Sequence, residues 1–241
     1  MMFPMFHDPT FILVIPALLF AVWAQWKVKS TYAKYARVGN RQGLTGAEVA
    51  QRILLDANVG VAGTGWGRGD GVALEPIEGT LTDHYDPRAR TLRLSQDIYY
   101  GQSVAALGIA AHEVGHAIQH AHGYAPMMAR NFVYPVSAIG STLAFPIFVI
   151  GMFLGPGTGQ TIMQIAILLF AAAVGFTVLT LPVEFNASRR AMKALASGGY
   201  LSEDELGGAR KVLTAAAMTY VASTAMAILQ LVRMLLLANR R

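Results

Sequence analysis

Two stretches of the chain, Phe132 to Leu154 and Thr161 to Leu181, contain no charged residue. Each is long enough to cross about 30 Å of hydrocarbon as a helix. No other feature limits the fold as strongly, because a bilayer admits only segments that satisfy their own backbone polar groups. The link between them, Gly155-Pro-Gly-Thr-Gly-Gln160, is short and uncharged, so the pair is predicted to form a tight helical hairpin. Pro135, Pro146 and Pro182 are compatible with this, since neighbouring helices can satisfy the carbonyls that proline frees. An earlier apolar run, Phe11 to Trp26, ends in Trp23 and Trp26, rings suited to a membrane interface. Basic residues follow this run instead of preceding it, and no small-x-small cleavage site follows. It therefore reads as an uncleaved anchor with its amino terminus outside. The last uncharged stretch, Val212 to Val232, is rich in Ala, Ser and Thr and is followed by Arg233, Arg240 and Arg241. Two readings stand for it: a fourth span held by small-residue packing, or a core helix of the catalytic part.

The whole composition agrees with blocks of membrane-spanning chain. Of 241 residues, 54% are hydrophobic and 14% charged, against about 25% charged in ordinary soluble proteins. The net charge of +5 does not indicate nucleic acid. Lys27, Lys29, Lys34 and Arg37 follow the first apolar block, and Arg189, Arg190 and Lys193 follow the third. That is the distribution of cytoplasmic anchors beside spans, and no nucleic-acid motif accompanies it. The absence of cysteine rules out disulfides and thiolate metal sites, which leaves His, Asp and Glu to hold any transition metal.

Between Lys27 and Arg130 the chain reads as a soluble part. Thr45-Gly-Ala-Glu48 is a capping box opening a helix over Ala47 to Ala57, with Val49, Ile53 and Leu54 on one face. The glycine-rich stretch Gly60 to Gly71 lacks the phosphate-loop pattern and reads as a flexible loop. Gly79 to Tyr85 and Arg90 to Leu94 form a hairpin about the turn Asp86-Pro87-Arg88-Ala89. A helix from about Ser103 to His122 follows, ended by Gly123 and Pro126.

That helix carries His112-Glu113-Val114-Gly115-His116. Positions i and i+4 lie one above the other on a helix, so both imidazoles can reach one ion. Glu113, one residue further round, can take a proton from the attacking water without binding the metal. The segment is otherwise apolar, where two unpaired histidines and a glutamate would be costly. Catalytic zinc expects three protein ligands and an open position. Three residues are candidates for the third: His120, His122 and Glu184. His120 lies about 12 Å along the helix axis from His112, too far to share one ion comfortably. His122 has metzincin spacing, but that pattern requires a turn at a glycine where this chain has Gln119. Glu184 stands just after the membrane hairpin, which returns the chain to the side of His112, and an acidic group at a membrane boundary needs a partner. Glu184 is the favoured ligand.

The motifs Asp83-His-Tyr-Asp-Pro-Arg-Ala-Arg-Thr-Leu-Arg-Leu-Ser95, His112-Glu-Val-Gly-His-Ala-Ile-Gln-His120 and Pro182-Val-Glu-Phe-Asn-Ala-Ser-Arg-Arg190 resemble the YugP-like neutral zinc metallopeptidases of bacterial membranes, over nearly the whole chain. Their order is also similar to the HtpX and CAAX-prenyl membrane peptidases. The resemblance implies a gluzincin-type site with one zinc ion on His112, His116 and Glu184. Those better-known relatives have an aspartate four residues after the ligand glutamate, where this chain has Ser188. Its part in orienting a histidine would pass to another residue here, such as Asn186.

The expected fold is a mainly α integral membrane protein with a small α+β zincin-like part. The expected segments are an anchor (1–26), a soluble part with hairpin and zinc helix (27–130), a transmembrane hairpin (131–181), and a third-ligand helix with the C-terminal apolar helix (182–241). The expected function is zinc-dependent hydrolysis of peptide bonds in a peptide or protein substrate, at a bacterial plasma membrane and facing the cytoplasm. The rival is a non-catalytic zinc-binding adaptor or sensor, for which a non-ligand carboxylate at Glu113 would have no use. A transporter would need ionisable groups inside the spans, and the apolar blocks have none at their centres. The strand Arg90 to Leu94 or its partner is expected to pair with an extended substrate. His84, Tyr85, Tyr124 and Arg190 are the candidates for oxyanion stabilisation.

Overall fold

The computed structural model describes residues 9–63 and 71–239. The chain is mostly helical, with one small sheet. A 3-10 turn, Pro9–Leu13, leads into helix α1 (Ile15–Tyr35), and α2 (Gly46–Asp56) follows. Thr45 caps α2, its side chain accepting from the Glu48 amide while the Glu48 carboxylate accepts from the Thr45 amide, so the predicted capping box is present in full. Most of the glycine-rich stretch, residues 64–70, lies outside the described residues.

Three strands come next: β1 (Ala73–Ile77), β2 (His84–Asp86) and β3 (Thr91–Ser95), in the spatial order β1-β3-β2. The hairpin forms about the expected turn, with His84 opposite Arg93 and Asp86 opposite Thr91. Asp86 closes it as an Asx turn, its carboxylate accepting from the amides of Arg88 and Ala89 and from the Arg93 guanidinium. Its first strand is shorter than the sequence suggested, beginning at His84. The sequence reading missed β1, which pairs in parallel with β3. Its Pro76 has no amide to donate, and proline is tolerated only on edge strands. Of the two strands expected as a platform for substrate, Arg90 to Leu94 is paired on both sides and offers no edge, and its hairpin partner β2 lies on the outside of the sheet.

A short helix, α3 (Gln96–Tyr99), precedes α4 (Val104–Ala121), which Ser103 caps by accepting from the Ala106 amide. Helix α4 ends at Gly123, whose left-handed φ of +60° is the usual helix stop. Pro126 belongs to the first turn of the next helix, where a missing amide costs nothing. Three long helices complete the chain: α5 (Ala125–Phe153), α6 (Thr158–Ser197) and α7 (Glu203–Asn239). All three are long and apolar enough to cross a membrane by length and composition. Helix α6 runs on through Pro182, so the apolar run Thr161 to Leu181 and the segment bearing Glu184 are one helix.

The residues divide into two compact units. One comprises residues 26–128 and 182–217, the other 1–25, 129–181 and 218–241. In the first, α4 is the central element. Its buried apolar residues, from Val104 to Ile118, join Val49, Ile53 and Leu54 of α2, Leu92 and Leu94 of β3, and Val183, Ala191 and Leu195 of α6 in one core. The amphipathic face predicted for α2 is the face that packs there.

In the second unit, α5 and α6 form the antiparallel hairpin. Tyr134 meets Phe176, Gly140 meets Leu169, and Gly151 meets Met163 and Gly159. Apolar side chains point outward from it, with Phe132 86% exposed and Phe153 and Leu168 each 73% exposed. A Cβ on Gly140 would run into the Leu169 carbonyl, whereas one on Gly175 would meet nothing within 4 Å. Gly140→Leu is therefore expected to destabilise the protein by about 1–3 kcal/mol through overpacking, read as a lower Tm in detergent. Gly175→Ala should leave the Tm in place. Equal melting of the two variants would contradict the close helix approach.

Candidate active site

Helix α4 presents His112, Gly115, His116 and Gln119, spaced i, i+3, i+4 and i+7, along one face. Facing them on α6 stand Glu184, Ala187 and Ser188. Gly115 permits the approach, since a Cβ there would lie 2.6 Å from the Ala187 carbonyl oxygen. With the helices this close, the Glu184 Oε2 atom lies 3.2 Å from His112 Nε2 and 3.5 Å from His116 Nε2. The two imidazole rings stand edge to face at 84°, with centroids 4.8 Å apart. His112, Glu113 and His116 each bring a ligand-type atom into a cluster no wider than 4.8 Å. Glu113, His116 and Glu184 are buried, while the side chain of His112 keeps 12% of its surface exposed.

The outer nitrogens of both imidazoles are held. His112 Nδ1 is 3.1 Å from Ser188 Oγ, and His116 Nδ1 is 3.0 Å from Gln119 Oε1. Gln119 in turn donates to the Val183 carbonyl and to Asn186 Oδ1. The residue that the resemblance marked as a departure, Ser188, is thus itself the partner of His112. Asn186 acts on the other histidine, through Gln119. The sequence reading treated Gln119 only as the absence of a glycine, and its place one turn after His116 was the available signal.

This geometry fits a zinc ion. Bonds of about 2.0–2.1 Å arranged tetrahedrally put neighbouring ligand atoms roughly 3.3–3.4 Å apart, and the separations of 3.2 and 3.5 Å from Glu184 bracket that spacing. With Nδ1 hydrogen-bonded outward, both imidazoles turn Nε2 toward the Glu184 carboxylate. Nitrogen and carboxylate atoms facing one another in this way need a proton or a metal cation between them.

Glu113 points differently. Its Oε2 accepts from the backbone amide of Tyr85 in β2 at 3.1 Å, so the edge strand holds the carboxylate beside the histidines. Burial pushes the Glu113 carboxyl above its ordinary pKa, opposed by the charges of His116 and His112. For His116, burial works to lower the pKa, but the Glu184 hydrogen bond and the Glu113 and Glu184 charges outweigh it and the net shift is upward.

The other candidates are engaged elsewhere. Helix α4 continues unbroken past Gln119 and leaves His122 exposed at its C-cap. His120 pairs through Nδ1 with the Tyr85 hydroxyl at 2.9 Å, and burial and the Arg90 charge push its pKa down. The Tyr124 hydroxyl donates to the Pro182 carbonyl, Arg190 donates to Asn186, and the exposed His84 pairs with the Thr82 carbonyl. None of the four oxyanion candidates is singled out by these contacts.

A curated relative from Bacillus subtilis (strain 168), named "Putative membrane protease YugP", is 45% identical over 225 residues, or 93% of this chain and 94% of the relative. No solved structure matches the chain. The model of the family described as "Putative neutral zinc metallopeptidase" matches residues 10–239, nearly the full length, and the chain belongs to that family.

Proposed function

We propose that this protein is a membrane-bound metallopeptidase that hydrolyses peptide bonds with one zinc ion held by His112, His116 and Glu184. The observation that carries the reading is the approach of both Nε2 atoms to one Glu184 oxygen at 3.2 and 3.5 Å. This is the ligand set of a gluzincin. Zinc bound there would polarise the scissile carbonyl and lower the pKa of an adjacent water toward ~7. Glu113 takes the proton of the attacking water and returns it to the leaving amine. Its hydrogen bond from the Tyr85 amide keeps the carboxylate oriented as a base, and a purely structural metal site would have no need of it. Strand β2 lies on the outside of the sheet beside Glu113; with its Tyr85 amide engaged by that carboxylate, an extended substrate would pair there through the remaining edge groups.

The relative's name and the three long apolar helices support a place in the bacterial plasma membrane. Lys27, Lys29, Lys34, Arg189 and Arg190 support a cytoplasmic active site by the positive-inside rule.

Three experiments test these proposals. Glu113→Gln should abolish hydrolysis of a peptide substrate while zinc stays bound, because the amide keeps the shape but accepts no proton. Activity within about tenfold of wild type, a smaller loss than general-base removal entails, would rule this mechanism out. Glu184→Ala should weaken zinc binding and lower the Tm, since an ion joining α4 to α6 stabilises the fold by linkage. His122→Ala should do neither, and the opposite pair of results would reject the ligand set. For orientation, cysteines at Gly157 and Glu78 are exposed to a membrane-impermeant thiol reagent in intact cells. Labelling is expected at position 157 and not at 78, and the reverse would invert the topology.

A further inference from the structure

We infer that Gln119, held in place by Asn186 and Arg190, is a positioning residue that commits His116 to metal binding through Nε2. The inference rests on the metal-site reading above and adds to it what sets the site's affinity. It begins at Arg190, whose guanidinium can only donate hydrogen bonds. Arg190 Nε lies 2.8 Å from an Asn186 amide atom, so that atom must be the oxygen. The same oxygen lies 3.0 Å from the Gln119 amide, which must therefore present its NH2 group. That NH2 group also reaches the Val183 carbonyl at 2.8 Å, another group that only accepts. The remaining Gln119 atom is the amide oxygen, 3.0 Å from His116 Nδ1. An oxygen there can only accept, so the hydrogen of His116 sits on Nδ1. In the neutral ring, Nε2 then carries the lone pair, and it faces Glu184.

The orientation of two amides and one imidazole thus follows from a single cation that cannot accept. The usual ambiguity of such groups is absent. The polar character of Gln119 also needs a reason of this kind. Its side chain is 0% exposed, and an apolar residue of similar size would fill the space without bringing a polar amide out of water. His112 is held by a different device. The Ser188 hydroxyl can rotate to donate or to accept, so it orients the ring without selecting a tautomer. The two histidines are therefore unequal: His116 is committed to Nε2 ligation, and His112 is adaptable. Because Asn186 and Arg190 lie two and six residues after Glu184 on α6, the relay also ties His116 to the helix that supplies the carboxylate.

The test uses the full chain in detergent, stripped of metal by chelation and titrated with Zn2+ against a chelating dye. The His116 tautomer is read from imidazole 15N shifts of the metal-free protein at alkaline pH, where the ring is neutral. Gln119→Leu should weaken Zn2+ binding roughly 10- to 100-fold, the usual loss when the partner of a ligating histidine is removed. It should also turn the single His116 tautomer into a mixture, which a merely structural residue would not do. Asn186→Leu should weaken binding in the same direction. Asn186→Asp, which still accepts from both Gln119 and Arg190, should keep wild-type affinity. Wild-type affinity in both leucine variants, or an unchanged tautomer, overturns the relay. Should Gln119→Leu fail to fold, the contrast between the two Asn186 variants decides alone. His116→Ala separates the two readings. Retention of zinc in that variant rejects the metal site itself, whereas loss of zinc there with normal binding by Gln119→Leu rejects the relay only.

Discussion

One constraint in the first unit sets the geometry of the candidate site: the contact between Gly115 of α4 and the Ala187 backbone of α6, with no room for a methyl group between them. Everything around the candidate site depends on it. On α4, His112 and His116 flank Gly115 on one helical face, with Gln119 a turn further on. On α6, Glu184 and Ser188 flank Ala187 in the same way. When the two backbones touch, the flanking side chains are forced together: Glu184 with both imidazoles, and Ser188 with His112. Long side chains on a more distant pair of helices would have many rotamers to choose from. Here separation and rotamer are decided together.

Close packing creates a second demand, because it takes polar groups out of water. Glu113, His116, Gln119 and Glu184 all sit in the interior of a mainly aliphatic core. Each such group left unpaired would cost about 1–3 kcal/mol, a large share of the stability of an ordinary domain. Among the described residues, no buried side-chain polar atom lacks a partner. The pairing draws on several elements: the Tyr85 amide from β2, the Val183 carbonyl and Asn186 from α6, and Gln119 from α4 itself. A short edge strand thereby acquires a use beyond the sheet. It bonds to β3 on one side and holds Glu113 with the amide on its other side.

The apolar helices of the second unit follow a different logic. Their outward faces are hydrophobic, so the free energy of burying apolar surface in water cannot explain their packing if they are surrounded by lipid. What remains is close backbone approach, and glycine supplies it at Gly140 and Gly151. Threonines near Pro182 return hydroxyl hydrogen bonds to the helix backbone, as Thr177 does to Val174 and Thr180 to Phe176. Helix α6 continues across the proline without a break.

Much of this was readable from one dimension. The capping box of α2, the extent of α4 and the apolar hairpin follow from local rules, since each depends on residues within a turn or two of one another. The H-E-x-x-H spacing, which puts two imidazoles on one helical face, is local in the same sense. Strand β1 escaped notice because five residues interrupted by Pro76 carry almost no periodic signal, and its partner β3 decides its conformation. Ser188 looked like the loss of a carboxylate, although a hydroxyl at that helical position reaches His112 Nδ1. Gln119 looked like a residue of no consequence. The sequence by itself determined the helices, the donor types and the chemistry those donors favour. The tertiary structure alone decided which donors meet. Convergence of His116, Gln119, Asn186 and Glu184 depends on how closely and at what rotation α4 and α6 pack, and residues more than 60 positions apart carry no local record of that.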